Sequence, residues 1–119
     1  MEKNKKLNVV DDQIGSPTYA ADLANLILDI ISIKIWKPGV YNYTNEAKIS
    51  WYDLANDIKL LCGYNTVINA VNTQEYKSNA KRPKYSILDK TKIKKAFSIN
   101  LLPYKDSLKK CINILKNEK

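Results

Sequence analysis

The chain has 119 residues, 45% of them hydrophobic, which is enough for one ordinary domain with a modest core. It has no histidine, which excludes Ser-His-Asp and Cys-His catalysis, and its two cysteines are far apart and outside any Cys-x-x-Cys pair, so a zinc site has almost no ligands to draw on. The net charge of +8 rests on nineteen lysines and one arginine, Arg82, and lysines spread along a chain lack the planar fork that reads bases, which argues against a nucleic-acid partner.

Leu7 to Val10 is β-prone and reads as a first strand, and Asp11 to Pro17 gathers acids, an amide, Gly, Ser and Pro into one polar loop. On residues alone this loop is a solvated strand-to-helix connection. Asp11 and Asp12 do not make a paired acid site, because adjacent strand residues face opposite ways. Asp22 is the expected N-cap of a helix running to about Lys34, with Leu23, Leu26, Ile27, Ile30 and Ile31 at helical spacing and Leu28 and Ile33 widening the stripe. A helix this apolar needs cover on more than one side. The stretch 26–36 is nevertheless interrupted by Asp29, Ser32 and Lys34, too short and too polar to span a bilayer. With no charged-then-apolar leader at the start, a cytoplasmic protein without membrane contact is expected.

Lys37-Pro38-Gly39 ends that segment, and Val40 to Thr44 is expected as a short strand. Ser50 with Asp53 forms an acidic version of the capping box, opening a helix over 51–62 with Leu54, Ile58 and Leu61 on one face and Gly63 as its stop. Trp51 and Tyr52 are assigned to packing at the helix start. Val67 to Val71 is a further strand, followed by a polar loop over 72–81. Pro83 holds Arg82 extended and aims its guanidinium away from its own chain. Asp89 or Thr91 caps a short helix to Phe97, and Pro103 opens a last helix carrying Leu108, Cys111, Ile112 and Leu115, with residues 116–119 expected to fray. Cys62 and Cys111 fall on apolar faces and are expected as buried, reduced thiols. The result is an α/β chain of few short strands and about four helices, a single domain over 1–119 with no internal repeat.

The run from Val9 to Ala24, Val-Val-Asp-Asp-Gln-Ile-Gly-Ser-Pro-Thr-Tyr-Ala-Ala-Asp-Leu-Ala, closely resembles the dTDP-4-dehydrorhamnose reductase family of extended short-chain dehydrogenases/reductases. Three further segments match in order: Gly39 to Asn45 with Ser50 to Ala55, Arg82-Pro83-Lys84-Tyr85-Ser86-Ile87-Leu88-Asp89, and Ser98-Ile99 to Leu108. The resemblance covers nearly the whole chain but only the C-terminal, substrate-binding part of that Rossmann-type fold. It implies a parent reaction in which NADPH or NADH reduces dTDP-4-dehydro-L-rhamnose to dTDP-L-rhamnose for polysaccharide biosynthesis.

The cofactor loop and the catalytic pair of that family are not found in this chain. Its three glycines lie in separate elements, and none of its eight tyrosines has lysine four residues on. The expectation is therefore a chain that binds no cofactor by itself, holds neither catalytic nor metal-ligating residues, and is inactive alone. The resemblance gives a substrate-binding set of Gln13, Gly15, Ser16, Pro17, Thr18 and Arg82, with Arg82 on the diphosphate of a dTDP-linked deoxysugar. Against this stand a surface pairing of Arg82 with Glu75 or Asp89 and a Gln13 that merely braces its loop. The implied partners are the sugar nucleotide and, to cover the apolar helix, a separately encoded N-terminal reductase half or a second copy of the chain. Two other functions stay open: a non-enzymatic sugar-nucleotide-binding or regulatory subunit, and a basic nucleic-acid interaction module.

Overall fold

The computed structural model describes residues 5–76, 78 and 80–117. Strand β1 (Lys6–Val10) pairs in parallel with β4 (Val67–Val71), Lys6 opposite Val67 and Val10 opposite Val71. A parallel pair needs a crossover, and α2 (Trp51–Cys62) supplies it, packing on both strands. The polar loop after β1 contains a two-residue strand, β2 (Ile14–Gly15), which pairs antiparallel with β3 (Ile49–Ser50) directly before α2. Helices α1 (Ala20–Ser32), α3 (Thr91–Phe97) and α4 (Tyr104–Asn117) complete this α/β fold.

Local signals set most of these elements. Ser50 Oγ accepts from the Asp53 N–H while the Asp53 carboxylate accepts from the Ser50 N–H, the reciprocal capping box expected there. Gly63 closes α2 in the left-handed conformation at φ 72°, where a side chain would be strained. Helix α4 starts directly after Pro103. It runs through Lys116 and Asn117, two of the four residues expected to fray, and Lys116 Nζ donates to the Leu61 carbonyl at 2.8 Å. The other two lie outside the described residues.

Several expectations are corrected. Helix α1 begins at Ala20 with Tyr19 as its N-cap, so Asp22 is inside the first turn. Asn45 Oδ1, from a distant loop, accepts the Tyr19 N–H at 2.8 Å, so a terminal donor is met from across the fold and Asp22 is free to point inward. Residues 40–44 form no strand, because among the described residues no other strand pairs with them to complete the ladder. Helix α3 has Lys90 at its N-cap position with no side-chain cap, although Asp89 Oδ1 accepts the Thr91 N–H at 2.8 Å. Both cysteines are free but only half-buried.

The molecule measures 50 × 36 × 21 Å, so one dimension is barely two layers deep and little is far from solvent. The apolar core is accordingly thin: Val10, Ala55, Ile93, Leu101, Tyr104 and Ile112. Buried polar groups tie the layers together instead. Asn45 and Ser107 are the most deeply buried, and Asn45 Nδ2 donates to Asp22 Oδ2 at 2.7 Å and to Ser107 Oγ at 2.9 Å. Ser107 in turn donates to Asp22. Lys90 is also buried, donating to Glu46 at 3.0 Å. The outer face of α1 is left bare: Ile27, Leu28 and Ile31 are exposed, and Asp22 is its only buried residue. Among the described residues no helix is long and apolar enough to cross a membrane.

Candidate functional site

A cleft of about 900 Å³ opens beside β1. It is lined by Leu7 to Val10, by Gln13 and Trp51, and by Thr73, Tyr76, Ser78 and Ala80 to Arg82. Of the six residues expected to bind substrate, the structure brings Gln13 and Arg82 together in this cleft. Gly15, Ser16 and Pro17 line a smaller crevice of about 90 Å³, with Ser86 and the start of α2. Trp51 borders both spaces and so stands between them. Thr18 lies farther round, with Pro17, in an apolar crevice of about 160 Å³ between α2 and α4.

Backbone pairing holds this loop in place. Ile14 donates to the Lys84 carbonyl at 2.8 Å, Ser86 donates back to Ile14 at 2.9 Å, and Ser16 Oγ donates to the Ala47 carbonyl at 2.6 Å. The β2–β3 pair and the Arg82-to-Asp89 stretch are thereby fastened on either side of the loop, which carries Gln13 to the cleft. Gln13 is buried, and its Nε2 donates to Thr73 Oγ1 at 3.1 Å. Bracing of the loop is therefore real, but it uses only the amide nitrogen. Asp12 Oδ1 accepts both the Thr73 N–H at 3.0 Å and the Thr73 hydroxyl at 2.6 Å. That hydroxyl bond, outweighing desolvation, holds the Asp12 carboxyl below the usual range, with the Thr73 N–H and the Lys84 ammonium adding to it.

Arg82 is exposed, and among the described residues it forms no ion pair. The two carboxylates that competed for it are engaged elsewhere, Glu75 with the Asn72 N–H and Asp89 with the Thr91 N–H. The guanidinium keeps its fork of donors for a planar, acidic ligand.

Trp51, Thr73 and Tyr76 were not among the expected site residues. The sequence assigns Trp51 to packing at the helix start, but it leaves 53% of its surface exposed. Thr73 and Tyr76 lie in a polar loop whose composition distinguishes no position. A half-exposed indole, an unpaired guanidinium and a buried amide at one cleft suit an aromatic, phosphorylated ligand. The Tyr104 hydroxyl, raised above its ordinary value first by burial and then by its bond to Asp57, is far from a proton donor for neutral pH and lines the α2–α4 crevice rather than the cleft. Among the described residues no group of three or more Cys, Asp or Glu could hold a metal ion.

Residues 1–117 match the family described as the RmlD substrate binding domain. The spore coat polysaccharide biosynthesis protein SpsK of Bacillus subtilis is 41% identical over 95 residues, which are 80% of this chain and 32% of SpsK. The dTDP-4-dehydrorhamnose reductase of Aggregatibacter actinomycetemcomitans is 40% identical over 121 residues, covering 92% of this chain and 41% of that enzyme. Among solved structures, a dTDP-4-dehydrorhamnose reductase ortholog from Clostridium acetobutylicum superposes with a TM-score of 0.84 at 35% identity, over 95% of this chain and 40% of that one. The dTDP-4-dehydrorhamnose reductase of Bacillus anthracis, in complex with NADP, gives 0.79 at 31% identity, over 90% and 37%. The chain thus spans about two fifths or less of the length of these relatives.

Proposed function

The chain belongs to the RmlD substrate binding domain family, and from that premise we propose that it is the sugar-nucleotide-binding portion of a dTDP-4-dehydrorhamnose reductase. In this reading the cleft receives a dTDP-linked deoxysugar, with Arg82 on the diphosphate and Gln13 at the nucleoside or sugar. The loop from Gly15 to Thr18 backs the site from the neighbouring crevices. The observation that carries the proposal is the convergence of Gln13, Trp51 and the unpaired Arg82 on one cleft.

The nicotinamide cofactor does not fit the residues of this chain. Gly15 is within β2, Gly63 closes the C-terminal end of α2, and Gly39 is at a bend between α1 and β3, so none of the three glycines is in a turn that leads into a helix start. The N-terminus of α2 is already occupied by the Asp53 carboxylate, which repels a pyrophosphate. Hydride transfer and protonation therefore belong to the remaining portion of the reductase fold. We assign the bare face of α1, with Trp36 and Val40 exposed by 89% and 84%, to the contact with that portion, and Val40 to Thr44 to pairing at its sheet edge.

Calorimetry with dTDP tests the binding side. Wild-type chain is expected to release heat, and Arg82→Ala to weaken affinity by about 10- to 100-fold, the loss of a charge-assisted contact. No heat from the wild type refutes the reading. Reduction of dTDP-4-dehydro-L-rhamnose with NADPH, assayed after mixing with the N-terminal portion of a full-length relative, tests the rest. Activity only on mixing supports a reductase portion. Binding without activity in the mixture supports instead the second reading, a non-enzymatic sugar-nucleotide-binding subunit.

A further inference from the structure

The amide of Gln13 ends a chain of hydrogen bonds that engages its nitrogen and leaves its carbonyl oxygen without a donor among the described residues. Thr73 stands at the centre of that chain. Its hydroxyl carries a single proton, and an ionised carboxylate has none to give, so at 2.6 Å from Asp12 Oδ1 the proton is committed to Asp12. What remains on Thr73 Oγ1 is acceptor capacity, and Gln13 Nε2 fills it at 3.1 Å. Turning the Gln13 amide over would set its oxygen against an oxygen whose only proton is already engaged. One hydrogen bond would be lost and two acceptors would repel, so the partners choose which end of the amide faces them.

The Asp12 end of the chain is held in its charged form by the Thr73 hydroxyl and N–H, with Lys84 at 3.9 Å. At the other end Gln13 is only 7% exposed and borders the cleft. Its Oε1 takes no hydrogen bond from the described residues and is not sealed from solvent.

We propose that Asp12 and Thr73 are positioning residues that fix Gln13 as a hydrogen-bond acceptor toward the cleft, so that the site selects its sugar nucleotide by an N–H or O–H donated to Gln13. The inference rests on the sugar-nucleotide reading above and adds the polarity of the contact and the two residues that set it. The donor is assigned to the nucleoside, which in dTDP offers two, the imide N–H of the base and the 3′-hydroxyl of the deoxyribose.

Calorimetry on the full chain separates these, using dTDP, its N3-methyl analogue without the imide donor, and its 3′-deoxy analogue without the ribose hydroxyl. Wild type is expected to bind dTDP about tenfold more tightly than one of the two analogues, which identifies the donor. In Thr73→Val the amide is released and that preference falls to within about twofold, while Thr73→Ser, which keeps the hydroxyl, restores it. A steric clash with an added methyl would persist in Thr73→Val; recognition of a donor does not. Should Thr73→Val fail to fold, Asp12→Ala, which removes the acceptor of the Thr73 proton and frees the hydroxyl to donate to Gln13, is expected to give the same collapse. Retention of the wild-type preference in the variants, or equal affinity of the wild type for all three ligands, overturns the proposal. Absence of dTDP binding by the wild type refutes the underlying reading and this inference together, whereas binding with unchanged discrimination refutes this inference alone.

Discussion

Replacing Asn45 by alanine is the sharpest test of how this thin fold is held. Asn45 is fully buried, accepts the Tyr19 N–H at the start of α1, and donates to Asp22, Ser107 and the Leu102 carbonyl. Truncation leaves a helix-terminal N–H without an acceptor and a buried carboxylate with Ser107 as its remaining partner from this group. Each buried group so stranded costs about 1–3 kcal/mol, and the small cavity adds to that, giving a total of about 3–5 kcal/mol. Against a typical domain stability of about 5–15 kcal/mol, and with so few buried apolar residues, such a loss takes most of the margin.

Urea unfolding followed by far-UV circular dichroism measures it. With a slope of about 1–3 kcal/mol per molar, the midpoint of Asn45→Ala is expected to fall by about 2 M. Asn42→Ala is the control: Asn42 is exposed, with one bond to the Asp89 carbonyl at 3.2 Å, and its loss is expected to cost under about 0.5 kcal/mol. Ser107→Ala should cost less than Asn45→Ala, since Asn45 and Asp22 still hold each other, and the double variant should fall short of additivity. An Asn45→Ala midpoint within about 0.5 M of wild type would refute the account of the buried network as the main tie between α1 and α4.

Three other outcomes follow from the same structure. Leu28→Glu combined with Ile31→Glu, both on the bare face of α1, is expected to abolish binding of a hydrophobic dye and concentration-dependent association while leaving the unfolding midpoint unchanged; persistence of either signal locates the sticky surface elsewhere. Burial and the Asp57 carboxylate raise the Tyr104 phenol above its ordinary value, so its stabilisation is complete below about pH 10 and is lost as pH climbs toward the folded-state value; the difference between wild type and Tyr104→Phe should shrink above pH 10, and a constant difference would count against it. Glu46 is lowered by its bonds to Lys94 and then Lys90, so its stabilisation is present above about pH 4.5 and lost as pH falls further; Glu46→Gln should be less stable than wild type at pH 7, with the difference shrinking as pH falls below about 4.5 and a constant difference counting against it.

Elements announced by adjacent residues were legible in the sequence. The Ser50–Asp53 box, the Gly63 stop and the Pro103 start each act within a turn of themselves, and each appears where expected. What depends on a distant partner was not. Asp22 has every local mark of an N-cap, yet Asn45 takes the Tyr19 N–H and draws Asp22 inward, a choice no window around Asp22 can display. Val40 to Thr44 has strand propensity, but a strand exists only through its neighbour, and the described residues offer none. The cleft shows the same division. Gln13 and Arg82 stand out by residue type and motif, whereas Thr73 becomes meaningful only once folding sets its hydroxyl between Asp12 and Gln13.

The two sides of the cleft differ in how much order they already possess. Gln13 is fastened before any ligand arrives: its amide is tied to Thr73, the next residue is paired to Lys84 and Ser86, and the far end of the loop is secured through Ser16 to Ala47 and through Tyr19 to Asn45. Arg82 is exposed and carries no ion pair among the described residues, so a ligand that engages it must first immobilise a long side chain, at a cost of about 2 kcal/mol in lost rotamer freedom. A guanidinium fork recovers that cost best on a diphosphate, where two parallel bonds form from one ordering event. Lysine at position 82 would bear a similar entropy cost for a single point contact. Arg82→Lys should therefore behave much closer to Arg82→Ala than conservation of charge suggests, and a dTDP affinity near that of wild type in Arg82→Lys would show that position 82 supplies charge alone.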